Sequence, residues 1–174
     1  MKNAAEAVTA IRAADREGYF TDAVIRKGIE EMRWQGRMET VLPGVIIDGA
    51  HNEAGVEEFV RTARRLEADD PVTLLFAAVG DKDYRHMIET ICRELRLERV
   101  IVTEVGGYRS VDAKVPEALF REFGQKEVKA VSDVEEAFDE ALKEKGDGIL
   151  FCVGSLYLVG SIKDILETRR SAHD

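Results

Sequence analysis

The chain has 174 residues, of which 45% are hydrophobic and 34% are charged, and its formal net charge is −9 at pH 7. This length suffices for one domain with a substantial core, and the composition is that of an ordinary globular protein. The acidic balance argues against a nucleic-acid-binding protein, because phosphate contacts need a basic face. No apolar run approaches the roughly 20 residues that a membrane-spanning helix requires. Cys92 and Cys152 lie in apolar segments, so we expect core thiols and a cytoplasmic location.

The amino-terminal part of the chain is predicted to be a helical segment distinct from the remainder. Helical patterns cover residues 3–15 and 22–33, before any strand pattern begins. The acidic residues Glu6 and Asp15 within the first helix exclude a secretory signal peptide. We therefore divide the chain into a helical segment, 1–36, and a sheet-containing domain, 37–174.

Five segments of the second part are predicted to be β-strands, and several are nearly continuous apolar runs, typical of strands buried on both faces. They are residues 45–48, 72–79, 99–105, 126–131 and 148–153. The segment "RMETVL", before Pro43, is a candidate for a sixth, antiparallel edge strand.

Amphipathic helical patterns alternate with these strands. One apolar stripe comprises Val56, Phe59, Val60, Ala63 and Leu66, and a second comprises Tyr84, Met87, Ile88, Ile91, Cys92 and Leu95. Ser132 and Glu135 have the spacing of a capping box, Gly146 is the expected helix stop, and the last helix begins near Ser155. The alternation predicts an α/β fold with a doubly wound, mostly parallel sheet of five to six strands flanked by helices.

Polar residues and glycines collect where the predicted strands end. The turns are "DGAHN", "GDKDY", "EVGGYRS" and "GSLY", whereas strand beginnings such as "ADDPV" look like ordinary solvated loops. Ligands of open parallel sheets bind at the carboxyl ends of the strands. We therefore expect a ligand site at this edge.

The first of these turns also has a purely structural interpretation. Asp48 is a candidate cap of the following helix, and His51 is either a surface histidine or a donor to a phosphate or carboxylate. Asn52 is more readily explained as a helix N-cap than as a ligand contact.

The other turns leave similar alternatives. Lys82 lies between two aspartates and either pairs with them or binds a ligand. Arg109 is an anion clamp or an ordinary exposed arginine. Ser155 caps a helix, and the same geometry binds anions.

Several catalytic motifs are missing from the sequence. There is no G-x-x-x-x-G-K-[ST] phosphate loop, no G-x-G-x-x-G turn and no G-x-S-x-G nucleophile elbow. The three histidines lack the spacing of zinc ligands, so we expect no metal site. The domain thus has polar turns suited to binding an anion but no evident catalytic centre.

Four motifs, "WQGRME", "VIIDGAHNEAG", "LLFAAVGDKDY" and "CVGSLYLVG", occur in an order and spacing that resembles the carboxyl-terminal domain of folylpolyglutamate synthase. This enzyme of the Mur ligase superfamily is often bifunctional with dihydrofolate synthase. The stretch "KNAAEAVTAI" is similar to the last helix of that family's ATPase domain. The resemblance implies that residues 37–174 form a Rossmann-like Mur ligase domain. It also implies that residues 1–36 are the tail and linker of a missing amino-terminal ATPase domain.

The resemblance implies an ATP-dependent ligase in which a folate carboxylate is phosphorylated and the amine of L-glutamate attacks the acyl phosphate. ATP and Mg²⁺ would be bound mainly by the missing domain in cis, and the full-length protein would be a monomer that contacts neither nucleic acid nor membrane. The 174-residue chain alone would be inactive. The implied catalytic residues are His51, Ser155 and Lys82, and the implied nucleotide-binding residues are Arg37, Asp48, Asn52 and Asp83.

Two positions depart from the family pattern. Gln35 and Glu53 each replace a proline, and neither position supplies a side chain to the chemistry. The alternative is a stand-alone, non-catalytic α/β module that binds a small anionic ligand or a partner protein. A phosphoacceptor domain built on Asp48 would need an acidic cluster beside that residue at the end of its strand, which the sequence does not offer.

Overall fold

The structure is a computed structural model that describes residues 2–32, 34–66 and 70–172. The chain divides into two compact units, Met1–Gln35 and Gly36–Asp174. This division falls next to the boundary expected from sequence, while the assignment of the first unit to an ATPase domain stays a prediction. No helix in the described ranges is both long and apolar enough to cross a membrane.

The first unit contains two helices, α1 (Lys2–Ala14) and α2 (Asp22–Glu31). Helix α2 begins where the Thr21 side chain accepts a hydrogen bond from the Val24 N–H at 3.3 Å. It ends earlier than predicted because Met32 is already extended, with φ −61° and ψ 127°. Residue 33, on which the predicted end fell, lies outside the described residues.

The second unit is built on a six-stranded sheet. Its strands are β1 (Glu39–Leu42), β2 (Val45–Ile47), β3 (Val72–Phe76), β4 (Leu97–Val102), β5 (Val128–Ala130) and β6 (Ile149–Val153). The spatial order is β1-β2-β6-β3-β4-β5, in which β1 is antiparallel to β2 and all other neighbours are parallel. This confirms the predicted sheet, including its antiparallel edge strand.

Five helices cover the two faces of the sheet: α3 (Glu53–Leu66), α4 (Tyr84–Glu94), α5 (Lys114–Glu122), α6 (Val134–Lys145) and α7 (Leu156–Ser171). Helices α3, α4 and α5 pack with Leu74 and Phe76 of β3 in one core. Helices α6 and α7 pack with Leu75 on the opposite face. Side chains of a strand alternate between faces, so the apolar run of β3 supplies both cores. The fold is therefore doubly wound, as predicted.

Some local predictions were wrong. Helix α6 is capped by Asp133, whose side chain accepts from the Glu136 N–H at 2.9 Å, and not by Ser132. Leu66 was placed in the apolar stripe of α3 but is 42% exposed. Strand β3 ends at Phe76, three residues before the predicted end, although the following residues remain buried. Gly146 ends α6 with φ 52°, as expected.

Both cysteines are free thiols, as the sequence indicated. Cys152 is fully buried in β6, and burial raises its pKa above the ordinary value. Burial also raises the pKa of Cys92 to about 12, so neither thiol is a reactive thiolate at neutral pH.

Candidate functional site

The polar turns singled out in the sequence lie at one edge of the sheet. They follow β2, β3, β4 and β6, which all run in the same direction. Strand β6 lies between β2 and β3, but α7 leaves it on the opposite face from α3 and α4. Such a reversal opens a crevice at the carboxyl ends of the strands, where ligands of α/β proteins bind.

Gly154 joins the turns around β6. Its N–H donates to the Ala50 carbonyl oxygen at 3.0 Å, which ties the turn after β6 to the turn after β2. Its φ is 108°, and a Cβ at this position would overlap the carbonyl oxygen of Ala77 and lie 2.6 Å from the Phe76 ring. Only glycine satisfies both requirements, so the junction of the three strand ends depends on this residue.

Asp48 holds the turn after β2 to the segment that precedes β1. Its side chain is 4% exposed, and its Oδ2 accepts from the Met38 N–H at 2.9 Å while Oδ1 accepts from the Ala50 N–H at 2.8 Å. Met38 has a left-handed φ of 42°, which is uncommon for a residue other than glycine. The carboxylate therefore organises two loops and does not cap α3.

The charge state of Asp48 reflects this enclosed position. Burial raises its pKa above the ordinary value, while the N–H donors of Met38 and Ala50 and the charge of Arg37 act in the opposite direction. Because the folded state holds this proton more tightly than the unfolded chain does, ionising Asp48 lowers stability as pH rises through the folded pKa.

Glu39 fixes the loop that carries Arg37. Its Oε2 accepts from the Gly36 N–H at 2.6 Å and from Lys163 Nζ at 2.9 Å, so it joins this loop to α7. The Gly36 carbonyl in turn accepts from the Gly49 N–H at 2.7 Å. Burial raises the pKa of Glu39, but the hydrogen bonds that its carboxylate accepts from Gly36 and Lys163, together with the Lys163 charge, outweigh burial and leave the pKa below its ordinary value. Arg37 itself is exposed at the edge.

His51 is half-buried in the same turn as Asp48. Its Nδ1 lies 2.7 Å from the Gly49 carbonyl oxygen. Because a carbonyl only accepts, Nδ1 carries the hydrogen, and Nε2 is the ring nitrogen left to meet a ligand. The backbone thus sets the tautomer of the histidine.

Asn52 and Ser155 both act as helix N-caps, as their positions in the sequence indicated. Asn52 Oδ1 accepts from the Gly55 N–H at 2.8 Å at the start of α3. Ser155, which is 1% exposed, accepts from the Tyr157 N–H at 3.1 Å at the start of α7. Two helix N-termini, with their positive dipole ends, therefore point into the edge.

The turn after β3 holds Lys82 and Asp83 in local contacts. Lys82 Nζ lies 3.8 Å from Asp81, and Asp83 caps α4 by accepting from the His86 N–H at 3.0 Å. The Lys82 pair is long and partly exposed, so it restrains the ammonium group only weakly. Lys82 remains available to an anion.

Arg109, in the turn after β4, makes contacts that the sequence did not reveal. Its guanidinium lies 3.4 Å from Asp81, hydrogen-bonds the Tyr157 hydroxyl, and lies 5.4 Å from the centre of the Tyr157 ring. Tyr157 belongs to the "GSLY" motif, yet nothing in the sequence links it to a turn 48 residues away. The structure therefore adds Tyr157 to the candidate residues.

The described part of the chain offers no ready metal site. Within residues 2–32, 34–66 and 70–172, no group of three His, Cys, Asp or Glu side chains is placed to hold a metal ion. The donor set of this region therefore does not by itself fit a divalent cation. The region offers instead the cationic side chains of Arg37, Lys82 and Arg109, together with backbone N–H donors, and these groups are suited to binding anions.

A family model described as the glutamate ligase domain of Mur ligases matches residues 36–156. The matched span runs from the loop before β1 to the first residue of α7, and it includes the first three turns and the first three residues of "GSLY". The chain belongs to this family. The resemblance carried by the four sequence motifs is thereby confirmed.

Known relatives of this Mur ligase domain are longer proteins. The dihydrofolate synthase/folylpolyglutamate synthase of Bacillus subtilis is 30% identical over 95% of this chain, which spans 39% of that relative. The structure of E. coli FolC in complex with DHPP and ADP superposes with a TM-score of 0.84 at 25% identity, covering 97% of this chain and 39% of that one. The chain therefore spans less than half the length of these relatives.

A bifunctional folylpolyglutamate synthase/dihydrofolate synthase from Yersinia pestis shares the fold. It was solved complexed with AMPPNP and a Mn ion, and it superposes with a TM-score of 0.74 at 21% identity. The match covers 87% of this chain and 36% of that protein. At this identity the likeness shows the fold alone.

Proposed function

We propose that this Mur ligase domain is the carboxyl-terminal, glutamate-adding part of an ATP-dependent amide ligase that acts on folates. The activity would be that of folylpolyglutamate synthase, with or without dihydrofolate synthase activity. The observation that carries the proposal is the convergence of the turns after β2, β3 and β6 on one edge around Gly154. The names of the Bacillus subtilis relative and the ligands of E. coli FolC support the choice of a folate and a nucleotide.

In the proposed reaction the γ-phosphate of ATP passes to a folate carboxylate, and the amine of L-glutamate displaces phosphate from the acyl phosphate to form the amide. The charge that develops on the transferring phosphoryl group needs donors in a water-poor site. The hydroxyl of Ser155 and the ammonium of Lys82 would supply them, and His51, whose Nδ1 is bound to the Gly49 carbonyl, would donate through Nε2 in its doubly protonated form. These three residues are the proposed catalytic groups.

The proposed nucleotide side of the site is the segment around Arg37 and the turns that face it. Asp48 would act mainly by holding this segment, because both of its oxygens already accept backbone N–H groups. Asn52 and Asp83 would act through the N-termini of α3 and α4, which they cap. Arg37, exposed beside Asp48, would contact the phosphates directly.

We assign the phosphate loop and the Mg²⁺ ligands to a preceding ATPase domain in the same polypeptide. The absence of a phosphate-loop motif from the sequence and of a metal cluster from the described residues supports this division. The complete protein would be a cytoplasmic monomer, with a folate and L-glutamate as substrates. Closure of the two domains on ATP would complete the site.

The test is incorporation of labelled L-glutamate into dihydropteroate and tetrahydrofolate by the full-length gene product that contains this chain. We expect product that depends on ATP, on Mg²⁺ and on the folate, with release of ADP. Binding of ATP and glutamate without ligation would instead support a non-catalytic module.

A further inference from the structure

Arg109 is held at the carboxyl edge of the sheet by its backbone. Val79, after β3, and Ser110, after β4, form an isolated antiparallel bridge, and the Gly80 N–H donates to the Arg109 carbonyl oxygen at 2.9 Å. The turns after β3 and β4 are thereby joined. This anchoring fixes the base of the arginine side chain, although two glycines lie shortly before it in the turn.

The guanidinium of Arg109 is flanked by aromatic rings. Its central carbon lies 5.6 Å from the centre of the Tyr108 ring and 5.4 Å from that of Tyr157. Tyrosine rings beside a guanidinium attract its charge and restrict its orientation. The Tyr157 hydroxyl binds one terminal nitrogen, and Asp81 lies 3.4 Å from the other.

The polar contacts of Arg109 leave it able to take a ligand. Tyr157 is a neutral partner, and the contact with Asp81 is longer than an ordinary charge-assisted hydrogen bond.

We propose that Arg109, oriented by Tyr157, binds a carboxylate of the incoming amino acid and so determines the preference for glutamate. This inference rests on the proposed function. A guanidinium presents paired N–H donors that match the two oxygens of a carboxylate. Tyr157 lies in the first turn of α7, and its N–H donates to the capping Ser155 hydroxyl, so the carboxylate site adjoins a proposed catalytic group.

The test uses steady-state kinetics of the full-length gene product with L-glutamate or ATP varied. We expect Arg109→Gln to raise the KM for L-glutamate about tenfold or more, the usual effect of losing a hydrogen bond to a charged group. The KM for ATP should differ from the wild-type value by less than about twofold. Arg109→Lys should be intermediate because it keeps the charge but loses the paired donors.

Two further variants sharpen the result. Tyr157→Phe keeps the ring and removes the hydroxyl, so we expect a smaller rise in the KM for L-glutamate than Arg109→Gln gives. Arg61→Gln removes an exposed arginine that pairs with Glu58 and should leave both KM values unchanged. If Arg109 binds the γ-carboxylate, Arg109→Gln should discriminate less against glutamine. If Arg109 binds the α-carboxylate, the variant should discriminate less against the α-amide of glutamate.

Three outcomes for Arg109→Gln would overturn the inference. They are an unchanged KM for L-glutamate, a rise in the KM for ATP alone, or an equal rise in both KM values together with a lower melting temperature. The second outcome would place a nucleotide phosphate on Arg109, and the third would make its role structural. Calorimetric titration of L-glutamate into wild-type and Arg109→Gln protein tests the contact without turnover. Weaker binding to the variant would support the inference even if the wild-type protein does not ligate glutamate.

Discussion

At the scale of single residues, the site is defined by which polar groups are already bound within the protein and which are left for a ligand. Ser155 caps α7 with its oxygen, and its O–H can still donate to a ligand. Asn52 and Asp83 are helix caps, and Asp48 accepts two backbone N–H groups. His51 differs from them, because its Nδ1 is fixed by a carbonyl while Nε2 is the nitrogen left for a ligand. It is therefore the residue in this turn best placed to act on a substrate.

Replacing His51 should affect catalysis far more than stability. In the full-length protein we expect His51→Ala to lower kcat about a hundredfold, the scale of losing one donor to a developing charge. The free energy of unfolding should change by less than about 1 kcal/mol, since one neutral hydrogen bond in a half-buried turn is lost. Initial rates and urea unfolding measure the two quantities.

His86→Ala is the matched control for this variant. His86 Nε2 lies 3.2 Å from Glu53 on the surface between α3 and α4, and the residue has no assigned part in the reaction. Its replacement should leave kcat within about twofold, consistent with the small energies of exposed pairs. Equal rates for wild type and His51→Ala would remove His51 from the site.

Residue-scale prediction from sequence succeeded where the contact is local. Asn52 and Ser155 were interpreted as caps because an N-cap side chain bonds an N–H two or three residues ahead. The partner of Asp48 across the β1–β2 hairpin is Met38, ten residues away, and that of Arg109 is Tyr157, 48 residues away. Such pairs depend on strand order and helix placement, which sequence patterns do not specify.

At the scale of elements, the fold brings strand ends together through a few close contacts. The alternation of apolar strands and amphipathic helices predicted the sheet because period and length are properties of the sequence itself. The cap of α6 was misplaced by one residue, since Ser132 and Asp133 are both good caps and only the backbone decides between them. The insertion of β6 between β2 and β3 could not be predicted from periodicity.

Gly154→Ala should disrupt the junction of β2, β3 and β6. Its left-handed φ and the overlap of a Cβ with Ala77 and Phe76 lead us to expect a loss of about 3–5 kcal/mol in unfolding free energy. The control is Gly160→Ala, inside α7, where an added Cβ meets open space. That change should stabilise the domain by about 0.5–1 kcal/mol. Similar unfolding midpoints for the two variants would contradict a role of Gly154 in holding the junction.

The tie between the loop before β1 and α7 should depend on pH. The pKa of Glu39 is lowered in the folded protein, so its contribution to stability is present above the unfolded pKa of about 4.5 and is lost as pH falls through the folded value. Glu39→Gln should therefore be less stable than wild type at pH 7, and the difference should shrink as pH falls below about 4.5 and vanish below the folded pKa. Urea unfolding across this range measures the difference, and a constant difference at all pH values would show that the charge is irrelevant.

At the scale of the whole molecule, the proposed reaction takes place at one edge of the sheet and is shared with a second domain. It spans 39% of the Bacillus subtilis relative, and its sequence contains no phosphate loop. We therefore expect the isolated 174 residues to incorporate no labelled glutamate into a folate in the presence of ATP and Mg²⁺. Turnover by this chain alone would contradict the division of the site between two domains.

Hydrogen exchange of the full-length protein can show whether substrates bind at the carboxyl edge of the sheet. Exchange would be compared with and without a non-hydrolysable ATP analogue and L-glutamate. We predict slower exchange in residues 48–52, 79–83, 106–111 and 154–157, and no change in the loops of the opposite edge at 124–127 and 146–148. Protection confined to the opposite edge, or absent from all four turns, would contradict substrate binding at the carboxyl edge.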